Sequence, residues 1–301
     1  MIKRTLYFGN PAWLGAENEQ MTIHVPATDE SPEKKVTVPI EDIAVVISDH
    51  YQVSITHHLM HKLLENNAAL ITCDDRHMPT GLMLNLNGNS IQQERFANQI
   101  EASLPLKKQL WAQTIETKIR NQASVLKIRS VTIENMMHWA DSVKSGDSEN
   151  HEARAAAYYW QNMFPSIPHF RRDRGGIPPN NMLNYGYAVL RAITARSLVA
   201  SGLLPTLGIH HHNRYNAYAL ADDIMEPYRP FVDIIVAEIA DREAAMEEIT
   251  TELKKELLAL PTVDVFINDQ KSPLMIAMQQ TTASLAACFN GELRRIAYPV
   301  L

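Results

Sequence analysis

The sequence predicts an α+β protein: a small, β-sandwich-like N-terminal domain over residues 1–85, then a larger all-α domain over residues 86–301. Three observations carry this. The first 85 residues hold short β-branched runs broken by Pro, Gly, Asn and Asp, the pattern of strands and turns. From about residue 90, apolar residues recur at three- and four-residue steps, the period of amphipathic helices. With 301 residues, 46% of them apolar, the chain is long enough for two domains and rich enough for a sizeable core.

In the first domain, TLYFGN, QMTIHVPA, KKVTVPI and IAVVISD read as strands, with an exposed hairpin loop at 29–35. A helix is expected over 56–66, then AALITCDD as a buried strand and HMPTGLML as a turn and strand. In the second domain, helical periodicity runs through 91–104, 106–128, 131–144 and 149–164. It continues through 181–202, where Gly202 ends the helix, and through one long amphipathic stretch at 234–260.

Net charge is −6, which argues against a basic surface throughout, but the charge is segregated. Residues 165–217 hold six arginines (171, 172, 174, 191, 196 and 214) and one acid, Asp173. Residues 222–256 hold eleven acids and four bases. An electropositive segment therefore runs directly into an electronegative one. The two cysteines, Cys73 and Cys288, are far apart and lack metal-ligand spacing, so a reducing cytoplasm is expected and a disulfide framework is not. No leader-like N-terminus and no run of about 18 apolar residues is present, so a soluble chain is expected.

The densest chemistry lies at 208–233, GIHHHNRYNAYALADDIMEPYRPFVD. Asp222 and Asp223 precede Glu226 by four and three residues, so a helix stacks three like charges on one face. A divalent cation is the usual relief for such crowding, and a histidine offered to it suits Mn as well as Mg. The plain alternative is a solvated first turn, against which stand the apolar neighbours Leu220, Ala221, Ile224 and Met225. Adjacent residues do not face one point, so at most one or two of His210, His211 and His212 reach one ion. Glu152, with Asn150 as a plausible cap, sits in a first turn where the helix dipole alone explains an acid. Ala155 excludes an HExxH zinc motif there. His57 and His61, four apart, lack a third ligand nearby. Arg171, Arg172 and Arg174, beside Gly175 and Gly176, form a basic loop suited to salt bridges or to phosphate.

In order along the chain, TLYFGNPAWL, ITCDDRHMPTGL, LWAQTIETKIRNQASVL, HEARAAAYYW, PPNNMLNYGYAVL and GIHHHNRYNAYALADDIMEPYRPFVD resemble one family. It is the CRISPR-associated integrase, a metal-dependent DNA endonuclease that inserts new spacers into CRISPR arrays. The resemblance implies that Glu152, His211 and Glu226 hold Mg2+ or Mn2+, with Asp223 as a possible additional acid. The third consecutive histidine leaves His210 open as an alternative to His211. A Glu rather than an Asp at 226 resembles the branch found with type II systems. The resemblance further implies double-stranded DNA as substrate and a homodimer formed through the β domains. It also implies a small second adaptation protein bridging two dimers. Arg171, Arg172, Arg174, Arg191 and Arg196 are then expected to grip DNA phosphates. Removal of Glu226 is expected to relieve repulsion and leave stability unharmed. Two other classes fit weaker parts of the pattern: a non-catalytic DNA- or partner-binding scaffold, and a His-rich zinc hydrolase.

Overall fold

The computed structural model describes residues 3–27, 32–243 and 247–301. The chain divides into two compact units, Met1–Gly88 and Asn89–Leu301.

Among its described residues the first unit contains eight strands: β1 (Arg4–Phe8), β2 (Ala12–Glu17), β3 (Gln20–Val25), β4 (Lys34–Pro39), β5 (Ile43–Ser48), β6 (Val53–Ile55), β7 (Ala69–Cys73) and β8 (Pro79–Met83). They form two four-stranded sheets, ordered β1-β5-β7-β8 and β4-β3-β2-β6. The expected loop at 29–35 falls partly outside the described residues; Gln20 to Val25 pairs antiparallel with Pro39 to Lys34. In the first sheet β1, β5 and β7 are parallel, with β8 antiparallel at the edge. β5 is an interior strand, and Ile43 to Ile47 is continuously apolar and buried, as a strand covered on both faces must be. Helix α1 (His57–Glu65) is capped by Thr56, whose Oγ1 accepts the Leu59 N–H at 3.2 Å. One core joins both sheets and this helix through Leu14, Met21, Val46, Leu70, Leu59 and Leu63. The parallel strands of the first sheet require crossovers, and α1 with β6 supplies the one from β5 to β7.

The second unit contains α2 (Gln92–Glu101), α3 (Leu104–Ile128), α4 (Glu134–Asp141), α5 (His151–Met163), α6 (Asn180–Ala200), α7 (Ala219–Met225), α8 (Arg229–Arg242) and α9 (Thr251–Leu258). β9 (Asp264–Ile267), β10 (Gln270–Pro273) and α10 (Leu274–Phe289) follow. α6 lacks a continuous polar face and is buried around most of its circumference, which makes it the central helix. Gly186 lets α8 approach α6; a Cβ there would meet Val232 Cγ1 at 2.4 Å. Among the described residues no helix is long and apolar enough to cross a membrane.

Two expectations are overturned in this unit. It is not all-helical, because β9 and β10 form an antiparallel hairpin that Val300 joins through Phe266. The single amphipathic stretch at 234–260 is two helices: Glu243 is extended at φ −99° and ψ 128°, and Thr250 caps α9 by accepting the Leu253 N–H at 3.3 Å.

Candidate active site

Three helices and one loop bring the charged residues together. α3 presents Trp111, Thr114, Lys118 and Asn121 along one buried face, at steps of three and four. α5 begins at His151 and carries Glu152 in its first turn. Its cap is not Asn150, which is left-handed at φ 56°, but Asp147. The Asp147 carboxylate accepts the His151 and Glu152 N–H groups at 2.9 and 3.0 Å. α7 ends at Met225, and Pro227 tightens Glu226–Tyr228 into a single 3-10 turn before α8.

Lys118 is the hub. Its Nζ lies 2.6 Å from Glu152 Oε1 and 2.6 Å from Glu226 Oε2, and the residue is 8% exposed. Burial pushes the ammonium pKa down, but the charges of Glu226 and Glu152 outweigh it and hold it above the usual lysine range. Glu226 is 4% exposed. Burial pushes its carboxyl up; Arg229, 3.0 Å from Oε1, and Lys118 overcome this and leave it below the usual range. The Lys118 ammonium thus joins the buried Glu226 Oε2 to Glu152 Oε1.

The three histidines take different places. His210 stacks on Trp111 with ring centroids 4.1 Å apart and parallel planes. His212 is exposed. His211 places Nδ1 against Asp223 Oδ1 in a short hydrogen bond, with 47% of its side chain exposed. That bond raises the imidazole pKa; burial opposes it, and the charges of Asp223, Glu226 and Glu152 add to it. With Nδ1 engaged, Nε2 is the nitrogen left to bind an ion.

Asp223 itself is fully buried and holds the loop in place. It accepts the N–H groups of Ile209 at 2.8 Å, His210 at 2.9 Å and His211 at 3.3 Å. Gly208 is required by the same geometry: a Cβ there would meet His211 O at 2.4 Å and Asp223 Oδ2 at 2.8 Å. Asp222 is held by Arg191, with Nε–Oδ1 2.6 Å and Nη2–Oδ2 3.1 Å, and by Asn216 at 2.8 Å. The crowding expected from the sequence is thus relieved acid by acid: Arg191 for Asp222, backbone N–H groups and His211 for Asp223, Lys118 and Arg229 for Glu226. Among the described residues, no group of three His, Cys, Asp or Glu side chains is arranged to hold a metal ion. The two glutamates meet on the Lys118 ammonium instead. His57 and His61 are both exposed.

Asp223→Asn is expected to cost about 2 kcal/mol, since an amide leaves part of a buried donor set unpaired. The His211 pKa is raised, so its stabilising ion pair is fully present below the ordinary value of 6.5 and fades as pH rises through the folded value. The melting-temperature gap between wild type and Asp223→Asn should therefore narrow from pH ~5.5 to pH ~8. A gap that widens over that interval contradicts the His211–Asp223 pairing.

The expected arginine grip is corrected at Arg196. That residue is 3% exposed, and burial lowers its pKa to about 10, so its guanidinium does not face an external phosphate. Arg191 is committed to Asp222. Arg172 is turned inward, donating to Asn180 Oδ1 at 2.9 Å and Asn184 Oδ1 at 2.7 Å. Arg171 and Arg174 remain exposed.

A family model described as CRISPR associated protein Cas1 matches residues 6–260. The CRISPR-associated endonuclease Cas1 of Neisseria meningitidis serogroup C (strain 8013) is 35% identical over 289 residues, spanning 95% of this chain and 92% of the relative. The fold is similar to that of a casposase bound to integration product, with TM-score 0.76 at 19% identity, over 98% of this chain and 92% of that one. It is also similar to part of a Cas6-RT-Cas1–Cas2 complex, with TM-score 0.72 at 19% identity, over 98% of this chain and 36% of that one. The family model and the 35%-identical relative each cover most of the sequence, and the chain belongs to the Cas1 family.

Proposed function

We propose that this protein is a divalent-metal-dependent DNA endonuclease and integrase that joins new spacer DNA to a CRISPR array by transesterification. One observation carries the reading. Glu152 on α5 and the buried Glu226 after α7 converge on one ammonium, so two carboxylates from separate elements already share one cation. Two carboxylates and the Nε2 of His211 are a donor set that fits Mg2+ or Mn2+. The names of the similar proteins, an endonuclease and a casposase with integration product, support the same chemistry.

Glu152, His211 and Glu226 would hold the ion, which supplies charge stabilisation at the scissile phosphate and the leaving oxygen. The chain's own residues do the rest. Asp223 fixes the His211 tautomer and the backbone that carries it. Lys118 and Arg229 keep Glu226 ionised. A 3′-hydroxyl of the incoming DNA attacks the repeat phosphodiester; the new phosphodiester forms as the old P–O3′ bond breaks, and the departing 3′-oxygen takes a proton. Reaction by positioning requires no covalent protein intermediate. The substrate is double-stranded DNA. The partners are a second copy of this chain, paired through the β domains, and the small second adaptation protein; the Cas1–Cas2 complex among the similar structures supports the latter.

The experiment is joining of a 3′-ended duplex to a repeat-containing target, with Mn2+ and with EDTA. Binding without joining in Mn2+ favours the scaffold; tight zinc with no requirement for Mg2+ or Mn2+ favours the hydrolase. Arg171→Ala with Arg174→Ala should weaken binding similarly for all duplex sequences and lower the salt slope by about 1 per arginine. An unchanged slope with loss confined to one sequence assigns these residues to base reading instead.

A further inference from the structure

The buried carboxylate of Asp233 is not used by the reaction proposed above. Its Oδ1 accepts the Tyr187 hydroxyl at 2.5 Å and its Oδ2 accepts the Tyr159 hydroxyl at 2.9 Å. The Tyr187 ring carries two guanidiniums: Arg229 Cζ lies 4.8 Å and Arg172 Cζ 5.2 Å from its centroid. Arg229 is the cation 3.0 Å from Glu226, and its buried Nε has no acceptor. Arg172 belongs to the loop whose Arg171 and Arg174 are exposed. One ring thus touches both the cation that holds the acid and the basic loop.

Two like charges over one ring compete for it. Arg229 is therefore divided between the ring and Glu226, and Arg172 sets how much of the ring remains for it. We propose that Tyr187 is a positioning residue that couples the basic loop to Glu226. Its ring holds Arg229 back from closing fully on the carboxylate, and Arg172 weakens that hold. A loop engaged elsewhere, for instance on DNA phosphate, frees the ring for Arg229 and makes Glu226 a better ligand. This rests on Glu226 holding a divalent ion.

The test uses the full chain without DNA and measures Mn2+ affinity from the electron paramagnetic resonance signal of free Mn2+. Tyr187→Leu should weaken Mn2+ binding by about tenfold, since a guanidinium freed from a ring face closes on Glu226 as a fork. Tyr187→Phe keeps the ring and should stay within about threefold of wild type. Arg172→Gln should tighten Mn2+ binding by about threefold, the opposite sign. General loosening of the core lowers affinity in every variant and does not produce that sign. Unchanged affinity in a folded Tyr187→Leu protein, or equal losses in Tyr187→Phe and Tyr187→Leu, overturns the proposal. If Tyr187→Leu does not fold, Arg172→Gln decides against Arg171→Gln, which removes a charge from the same loop: tightening beyond that control supports the coupling, and equal, unchanged or weaker binding overturns it. Glu226→Gln is the separate control, because unchanged Mn2+ affinity there defeats the assignment of Glu226 and not the coupling.

Discussion

Glu226→Gln is expected to reduce strand joining in Mn2+ by about 1000-fold or more. A ligating carboxylate is asked to supply several kcal/mol of transition-state stabilisation, and each ~1.4 kcal/mol is tenfold in rate. The same variant should also melt earlier without metal. Removing repulsion would have stabilised the fold if the acids were unrelieved, as the sequence implied. In the structure Glu226 is buried between Lys118 and Arg229, so its neutralisation leaves two cations with too little negative charge. Breaking a buried pair in this way costs about 3–5 kcal/mol. Folding and chemistry are separated by assaying below the variant's own melting temperature. Wild-type joining by folded Glu226→Gln protein would rule out this residue as a ligand.

The sequence revealed the site where its residues are contiguous. GIHHH and DDIMEP lie in one short segment, and helical spacing alone shows that Asp222, Asp223 and Glu226 share a face. The division of labour among the acids was not legible, because Arg191, Lys118 and Arg229 reach them from other turns and other helices. Lys118 carries a signal in its spacing. It falls on the same stripe as Trp111, Thr114 and Ile115, where a charge must be buried and therefore paired. Arg196 is the converse: its charge suggests basic surface, yet it lies on a helix buried around most of its circumference.

Strand order was illegible for a general reason. Pairing of β1 with β5 joins residues about forty apart, and nothing local encodes it. The unbroken apolar run IAVVIS is the trace a parallel interior strand leaves. The missed hairpin had a local trace too: the β-branched and aromatic run Val265, Phe266, Ile267 leads into Asn268 and Asp269, which turn at φ 49° and 61°.

Lys118→Met tests whether the ammonium stands where the ion is expected. Without metal, the variant leaves Glu152 and Glu226 to share a site without the ammonium that pairs with both, and should lose about 3–5 kcal/mol. The Glu226 pKa is depressed in the wild type, so its contribution is present above the ordinary value of 4.5 and lost as pH falls through the folded value. With Lys118 gone the Glu226 carboxyl moves up toward its ordinary value, and the deficit relative to wild type should shrink as pH falls below about 4.5. Mn2+ supplies the discriminating measurement. In the wild type an ion must displace the ammonium from two carboxylates; in Lys118→Met it meets them free. Saturation at about 100 times Kd contributes about 2.7 kcal/mol in either protein, but the variant should reach it at lower Mn2+. The rise in melting temperature at a fixed, sub-saturating Mn2+ concentration should therefore be larger in Lys118→Met than in wild type. An equal or smaller rise would mean that ion and ammonium do not compete, and would remove Glu152 and Glu226 as joint ligands.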